Sequence, residues 1–431
     1  MAAGYGELLR SRHAARLLCG TLVGRLPSAT GHIAIVLFVR SEGGGYALAG
    51  ALAAVYGLAT AVGQPLLGRA VDLYGQLRVM LPAAVLSGIG MVALALVGID
   101  PLPPAYAAVV MAGIFTPPLE GGLRALWPSV LGRADRVHAA YALDAAYALD
   151  AAYALDAVAQ EVMFTAGPLL VTLFVAWWSP GAALLVINVL GVLGALSVVV
   201  SEPSRRWRSA PREAHWLGAL RSPGLLALLG SFLFVGVALG SITVAAVAYA
   251  DDHGRESVYG WLMAALGLGA LVGGAVYGAR QWAGEPERRL RVLVGLLALG
   301  YLPLALTPGV AAMTGLAVVS GVFLAPALAC AFVVVDRHAP RGTVTEAFSW
   351  LVTVFGVGAA LGTGAAGPAV EWGGTAPGFW VAGAGGVAAL LVLLATTRVL
   401  NGRGRGGDPV VSSENDRNGA VEPGFSAGHQ A

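Results

Sequence analysis

The sequence predicts an all-α integral membrane protein whose twelve transmembrane helices form two pseudo-symmetric six-helix bundles. Its 431 residues are 57% hydrophobic and 12% charged, with a mean hydropathy of +0.75, which is too apolar for a water-soluble protein of this length. Apolar runs of about 20 residues, the length that crosses a bilayer core of about 30 Å, recur twelve times along the chain. Arginines gather between alternate pairs of these runs, as they do in membrane proteins with a defined orientation.

The twelve apolar runs divide the chain into two groups of six. The first run follows several arginines, as in a signal peptide, but no small-residue cleavage site follows it, and we expect it to be retained. The predicted spans lie at 17–39, 46–67, 79–98, 104–126, 152–177, 181–200, 224–250, 257–279, 291–307, 309–335, 345–369 and 377–399. They define an amino-terminal segment (1–16), an amino-terminal bundle (17–200), a linker (201–223), a carboxy-terminal bundle (224–400) and a tail (401–431). The composition of the tail is typical of disorder.

The distribution of arginine predicts the orientation of the spans. All 26 basic residues are arginine, and 23 of them fall in segments, or at the adjoining ends of spans, on the same side of the membrane as the amino terminus. Arg40 and Arg255 fall on the other side, and Arg25 lies within the first span. Because cytoplasmic loops carry the excess of basic residues, we expect both termini and the linker in the cytoplasm, with the protein in the plasma or inner membrane.

A short polar segment separates the second and third spans, and we expect it to form a tight cytoplasmic turn. It reads Gly-Arg-Ala-Val-Asp-Leu-Tyr-Gly-Gln-Leu-Arg from Gly68 to Arg78. Gly68 and Gly75 remove side chains where helix ends must approach closely. Asp72 can accept hydrogen bonds at a helix amino terminus or pair with an arginine, and Arg69 or Arg78 is the expected partner.

This turn resembles the loop between spans two and three of the major facilitator superfamily, in its bacterial twelve-span form. The matching residues are Gly68, Asp72, Gly75 and Arg78, whereas Leu73, Gln76 and Leu77 stand where the family carries basic residues. The resemblance implies that the matching residues and Arg69 form a cytoplasmic latch that holds the outward-facing state. It also implies alternating access around a mid-membrane cavity lined chiefly by spans one, four, seven and ten.

A Gly-Pro pair interrupts the predicted fifth span. Pro168 removes a backbone hydrogen bond and Gly167 allows close packing, so we expect a kink there. The pair resembles the Gly-Pro element that exporters of the family carry in span five. The further glycines of that element are replaced here by Leu169, Leu170 and Val171.

An internal repeat precedes the fifth span. From Ala140 to Ala157 the unit Ala-Tyr-Ala-Leu-Asp-Ala occurs three times, which predicts a cytoplasmic extension of that helix by up to about 18 Å. Each copy turns about 240° around the helix, so the tyrosines point in three directions and no continuous partner-binding stripe results. We expect a neutral expansion of the helix.

Five ionisable side chains in the spans are candidates for a substrate pathway or a coupling site, because charge inside a membrane is costly. They are Arg25, Glu120, Arg124, Asp156 and Glu161. Arg25 and Glu161 lie at comparable depths, about 12 and 13.5 Å, and we expect a pair that proton or substrate binding breaks. A static buried pair, or two separate snorkelling side chains, is the alternative. Glu120 and Arg124 share a helix face, Arg124 can snorkel, and Asp156 is expected at the hydrated interface.

Other function classes lack the residues that they need. The chain contains no lysine, so a P-loop ending in Gly-Lys-Ser or Gly-Lys-Thr is absent and ATP hydrolysis is not expected. Both cysteines lie in apolar runs, and no spacing of histidines, cysteines and carboxylates predicts a metal site or a nucleophilic triad. We therefore expect no catalytic residue, no cofactor, no metal and no nucleic-acid partner.

The expected function is secondary transport of a small amphiphilic or apolar molecule by a monomer, with proton-coupled export as the leading hypothesis. Carboxylates in the spans and the lack of a nucleotide site favour an ion gradient as the energy source. Two alternatives stay open. A proton-coupled uptake symporter for a polar solute requires more buried polar side chains in spans seven and ten. A non-transporting membrane sensor predicts no flux and a partner for the extended fifth helix.

Overall fold

The computed structural model describes residues 13–131, 139–211, 215–255 and 257–401, with the backbone alone described at 139–146 and 164–165. Within these residues twelve helices are long and apolar enough to cross a membrane, which confirms the all-α membrane fold. We number them α1 to α12. Their bounds are Ala14–Ser41 (α1), Tyr46–Tyr74 (α2), Gln76–Val97 (α3), Leu102–Val130 (α4), Ala139–Trp177 (α5), Pro180–Val199 (α6), Pro223–Asp252 (α7), Ser257–Gly278 (α8), Pro286–Leu306 (α9), Val310–His338 (α10), Val344–Gly373 (α11) and Thr375–Ala395 (α12).

Three of these helices, α1, α4 and α10, consist of two α-helical pieces, and the breaks in α1 and α4 position charged residues of the site. The two pieces of α1 meet at Arg25, and Pro27 lies in the first turn of the second piece, where a missing N–H costs no helical hydrogen bond. The two pieces of α4 are separated around Pro117 and Pro118, which cannot donate backbone hydrogen bonds. Glu120 lies in the first turn after this break. Both breaks therefore bring a charged side chain into the interior of the membrane region.

Small residues let helices of each half pack closely. Gly167 of α5 faces Thr30 of α1, and Gly362 of α11 faces the backbone carbonyl of Val237 in α7, where an added Cβ would clash. These two glycines occupy equivalent positions in the two halves, since α1 and α5 correspond to α7 and α11. Close packing of this kind is the usual basis of helix association in a bilayer.

The two halves, α1 to α6 and α7 to α12, meet where α2 packs against α11 and where α5 packs against α8 and α10. Gly68 of α2 lies against Ser349 of α11. Thr353 of α11 donates a hydrogen bond of 3.2 Å to the carbonyl of Ala61. The contact of Gly68 lies toward the end of the molecule that holds Gly75, which we call the Gly75 side, whereas Ala61 lies near the middle of α2.

The outer surface of the bundle is apolar. Leu58, Val62 and Leu66 of α2 are exposed at a spacing of four residues, which places them on one face of the helix. Trp177 and Trp178 are exposed at the end of α5 that lies away from the Gly75 side. An apolar stripe that ends in exposed aromatic residues is typical of a lipid-facing surface.

Candidate functional site

Four charged side chains from α1, α4 and α5 form a buried cluster, which we call the charge quartet: Arg25, Glu120, Arg124 and Asp156. Arg25 Nη2 lies 2.6 Å from Glu120 Oε1, and Arg124 Nε lies 2.6 Å from Asp156 Oδ2. The pairs are also joined crosswise, because Arg25 Nη1 lies 3.6 Å from Asp156 Oδ1 and Arg124 Nη2 lies 3.4 Å from Glu120 Oε2. Two guanidiniums and two carboxylates thus alternate around a closed ring without net charge.

The sequence builds this ring from the two helix breaks. Arg25 is the residue at which α1 is interrupted, and Glu120 follows the break in α4. Arg124 lies one turn after Glu120 on the same face. Gln160 of α5 accepts a further hydrogen bond of 3.1 Å from Arg124 Nη2. Since Arg124 is 0% exposed and Asp156 is 1% exposed, each depends on its partners for compensation of its charge.

The expected pair between Arg25 and Glu161 is wrong. Arg25 pairs with Glu120 and Asp156 instead. Arg25 and Glu161 lie at similar depths, but the side chain of Glu161 points in another direction. It follows Asp156, which faces Arg25, by five residues, which is about 140° around α5. Arg124 does not snorkel and Asp156 is not at a hydrated interface, because the ring holds both in the interior.

A cavity of about 570 Å³ lies between the two halves, among α5, α7, α8, α10 and α11. Its described wall is mainly apolar, and its polar members are Gln160, Glu161, Thr243, Tyr259 and Thr363. The expected wall consisted of spans one, four, seven and ten. Of these, α7 and α10 line the cavity, whereas α5, α8 and α11 supply the rest. The charged side chains of α1 and α4 form ion pairs with α5 in the charge quartet. On this side the cavity is lined by α5.

Glu161 is the one charged side chain among the described residues that line this cavity. The residue is 8% exposed, and within the described part of the chain its carboxylate has no hydrogen bond or ion pair. Tyr301 of α9 interacts with it electrostatically. An uncompensated carboxylate in mainly apolar surroundings is costly, so this position is suited to bind a proton or a cation.

Three rings from the two halves pack together between the cavity and the Gly75 side, and we call them the aromatic layer: Tyr153, Phe332 and Phe348. Their centroids lie 6.0 to 6.2 Å apart. The guanidinium carbon of Arg124 lies 3.7 Å from the centroid of Phe332, which is a cation–π contact. Each ring lies nearer to the Gly75 side than the cavity residues of its own helix. The layer therefore closes the cavity on that side.

The turn at Gly75 joins the halves through Asp72. Its Oδ1 accepts a hydrogen bond of 3.2 Å from the N–H of Thr345, and its Oδ2 accepts one of 2.8 Å from the N–H of Glu346. These are free N–H groups in the first turn of α11, where the helix dipole also favours a negative charge. The expected arginine partner is therefore wrong. Arg69 donates instead to the linker carbonyl of Trp216 at 2.7 Å, and Arg78 is exposed.

Glycines permit this arrangement. Gly68 lies against Ser349 and the backbone at Glu346, so that any side chain at 68 would push α2 away from α11. Gly75 has a φ of 89°, a conformation that residues with a side chain rarely adopt. Gln76, which replaces a base of the family pattern, accepts a hydrogen bond of 2.8 Å from Ser204 and donates one of 2.9 Å to the carbonyl of Gly122.

An ion pair also joins the two halves. Arg289 Nη2 of α9 lies 3.2 Å from Asp150 Oδ2 of α5, and both side chains are largely buried. Asp150 comes from the second copy of the six-residue repeat, and Asp156 of the quartet comes from the third. The first copy lies among residues whose side chains the structure does not describe. This pair was not predicted from the sequence, although the shift of 240° between copies indicates that successive aspartates face different neighbours.

Gly167 and Pro168 lie within one continuous helix, α5. Gly167 packs against Thr30 of α1, and Pro168 lines the cavity. Thr172 donates a hydrogen bond of 3.0 Å to the carbonyl of Pro168. The kink at this pair stays a prediction. The position of Pro168 in the cavity wall was not predicted. Among the described residues no group of three or more histidines, cysteines and carboxylates is placed to hold a metal ion.

The sequence matches the model of a family described as the Major Facilitator Superfamily over residues 17–316. No curated protein matches it. Several solved structures resemble the fold. The human organic anion transporter MFSD10 (TETRAN) is 16% identical, with a TM-score of 0.66, over 88% of this chain and 98% of that chain.

Two other solved structures are similar over a comparable share of the chain. A bacterial homologue of the iron transporter ferroportin, in an outward-facing state, is 16% identical, with a TM-score of 0.68, over 90% of this chain and 99% of that chain. The E. coli fucose:proton symporter FucP is 12% identical, with a TM-score of 0.60, over 88% of this chain and 97% of that chain. At such identities the likeness shows the fold.

Proposed function

The chain belongs to the Major Facilitator Superfamily and is a membrane transporter of small molecules, and on this premise we propose that it exports an amphiphilic or apolar compound in exchange for protons. The observation that carries the proposal is the cavity of about 570 Å³, a volume typical of sites for drug-sized molecules. Its mainly apolar wall suits an amphiphile. The single carboxylate among its described lining residues suits a coupling ion.

The transport cycle is alternating access in which the Gly75 side faces the cytoplasm. In the state described, Asp72 holds the start of α11, the aromatic layer lies beneath the cavity, and Asp150 binds Arg289. These three contacts join the halves on one side of the cavity. Breaking them while forming new contacts on the other side would expose the cavity to the cytoplasm. The latch role of the turn at Gly75 thus rests on Asp72 and α11.

Protons are the proposed coupling ion. Glu161 lies in the cavity wall without a partner in the described part of the chain, so it can take up and release a proton there. The charge quartet lies next to it along α5 and is closed and neutral. We assign Glu161 to proton binding and the quartet to fixing α5 against α1 and α4. FucP, a structural neighbour, is itself described as a proton symporter.

Export is favoured over uptake of a polar solute by the composition of the wall. Apart from Glu161, its described polar members are Gln160, Thr243, Tyr259 and Thr363, set among many aliphatic residues. A hydrophilic solute loses its hydration shell on binding and needs a hydrogen bond for each polar group. An amphiphile needs far fewer. The remaining alternative is a non-transporting sensor, which a measurement of substrate flux distinguishes from an exporter.

The test uses inside-out membrane vesicles from cells that express the full chain, loaded with acid in the lumen. The probes are ethidium (cationic), Nile red (neutral) and 8-anilinonaphthalene-1-sulfonate (anionic). Export predicts that at least one probe accumulates in the lumen and is released when nigericin collapses the pH gradient. Accumulation driven instead by acid outside right-side-out vesicles would replace export by uptake. No gradient-driven flux of any amphiphile would favour the sensor.

A further inference from the structure

The cavity wall has a charge imbalance that specifies its ligand. Among the described lining residues Glu161 alone is charged, and the neighbouring quartet is neutral because each guanidinium is matched by a carboxylate. We propose that the transported substrate is a monovalent organic cation, and that Glu161 binds either this cation or one proton but not both. Exchange is then one for one and electroneutral. This inference rests on the proposed function and names the substrate class of the same site.

The argument concerns the free energy of an uncompensated charge. When Glu161 is ionised and alone, its burial in an apolar cavity costs free energy that grows as the cavity closes. A proton removes the charge, and a bound cation compensates it. A neutral amphiphile would leave the carboxylate without a partner, and an anion would add repulsion. The cavity can therefore close around a cation or around a protonated Glu161, and these two states alternate.

The rest of the wall fits an apolar cation. Tyr259 of α8 and Phe355 of α11 line the cavity, and aromatic rings attract a positive charge. Met263 and Leu328 supply polarisable or aliphatic surface for the apolar part of the ligand. No arginine is among the described lining residues, so nothing there repels a cation.

Few titratable groups surround Glu161. Tyr259 of α8 shares the cavity wall, and Tyr301 of α9 interacts with the carboxylate electrostatically. On its own helix, Asp156 lies a turn and a half away and is held by Arg124 and Arg25. The described lining residues of α7, α10 and α11 include no titratable group. Glu161 is thus the position at which proton and cation compete.

The test compares two probes of the same shape and opposite charge, tetraphenylphosphonium and tetraphenylborate. Binding to the purified full chain in detergent is measured by equilibrium dialysis across a pH series, and proton release on binding is followed with a pH indicator in weak buffer. The variants are Glu161→Gln, which keeps the shape but removes the charge, and Glu161→Asp, which keeps the charge. Glu371→Gln removes an exposed carboxylate at the far end of α11 and serves as the matched control.

The proposal expects saturable binding of tetraphenylphosphonium that weakens as pH falls, with protons released on binding at a pH where Glu161 is partly protonated. Glu161→Gln should weaken this binding by about tenfold or more and abolish both its pH dependence and the proton release. Glu161→Asp should retain the pH dependence, and Glu371→Gln should behave as the unmodified chain. Size-exclusion profiles of all variants show whether each is folded.

Three results would overturn the proposal. They are the lack of saturable tetraphenylphosphonium binding, equal binding by Glu161→Gln with proton release intact, and preferential binding of tetraphenylborate. In proteoliposomes, the tetraphenylphosphonium–proton exchange that remains after subtraction of the passive flux in protein-free liposomes should not change in rate when valinomycin and potassium set the membrane potential, and a strong dependence of this protein-mediated part would refute electroneutrality. If binding and proton release occur as expected but no vesicle shows gradient-driven flux, the proposed export fails while the cation site stands.

Discussion

The guanidinium of Arg124 binds Asp156 and Glu120 in its own half and lies over the ring of Phe332 in the other. Removing one member of a buried ion pair leaves the other uncompensated, at a cost of about 3–5 kcal/mol. We therefore predict that Arg124→Met lowers the free energy of unfolding in detergent by about 3–5 kcal/mol. Titration with SDS, followed by circular dichroism, measures this change.

An exposed ion pair and a double variant of the charge quartet serve as controls for that prediction. Arg206 is 81% exposed and lies 3.0 Å from Glu202, and such surface pairs contribute about 0–1 kcal/mol. Arg206→Met should therefore be nearly neutral. The double variant Arg124→Met with Asp156→Leu removes one charge of each sign and leaves Arg25 paired with Glu120, so it should recover much of the lost stability. Equal stability of Arg124→Met and Arg206→Met would show that the ring contributes little.

At the scale of whole helices, the hydropathy profile predicted the spans, which depend on composition. It did not predict the contacts between helices, which depend on how each helix is rotated about its axis. The predicted first span, 17–39, lies within α1, Ala14–Ser41, because apolar length follows directly from bilayer thickness. The break at Arg25 was not predicted, although Pro27 marked it. Glu161 and Arg25 were correctly identified as unusual, since any charge in a span is unusual. Their partners depend on which way each helix faces, and a hydropathy profile does not contain that information.

The repeat in α5 predicts how deleting copies changes the ion pair with Arg289. Asp150 binds Arg289 at 3.2 Å, and its copy-equivalent Asp156 binds Arg124. Because the copies are identical, deleting any one of them leaves an aspartate six residues before Asp156. Deleting two places His138 at that position. We predict that the chain with two copies transports as the full chain does, whereas the chain with one copy loses the pair with Arg289.

Flux of ethidium in vesicles and the accessibility of the Gly75 side measure this effect. Asp150→Asn in the full chain should reproduce the defect of the double deletion, since both remove the same carboxylate. If the single-copy chain matches the full chain while Asp150→Asn does not, the length of the extension rather than the ion pair would be responsible. If all three variants match the full chain, the repeat is the neutral expansion that the sequence suggested.

For the molecule as a whole, the contacts described between the halves lie toward one end of the cavity. These contacts are those of Asp72 with the first turn of α11, of the three rings in the aromatic layer, and of Asp150 with Arg289. A transport cycle requires that no single contact dominates the free-energy difference between its two states, because a ligand can shift the equilibrium only by its difference in affinity for them. Weakening one contact should therefore change the populations of the two states without unfolding the bundle.

Asp72 offers the cleanest test of that population shift. A carboxylate at a helix amino terminus contributes about 1–2 kcal/mol in a partly buried geometry, so its loss should change the ratio of the two states by roughly 5- to 30-fold. In a chain with Cys19→Ala and Cys330→Ala, a Ser349→Cys variant reports on the contact between α2 and α11, where Ser349 is 1% exposed. We predict that adding Asp72→Ala raises maleimide labelling at this position from the Gly75 side by about that factor.

Arg78→Ala should not raise it, because Arg78 is exposed on the same turn. A cysteine at Thr243, in the cavity wall, should in turn become less reactive from the opposite side. Increased labelling with Arg78→Ala would show that this arginine holds the turn, and no increase with Asp72→Ala would show that the contact of Asp72 with α11 does not.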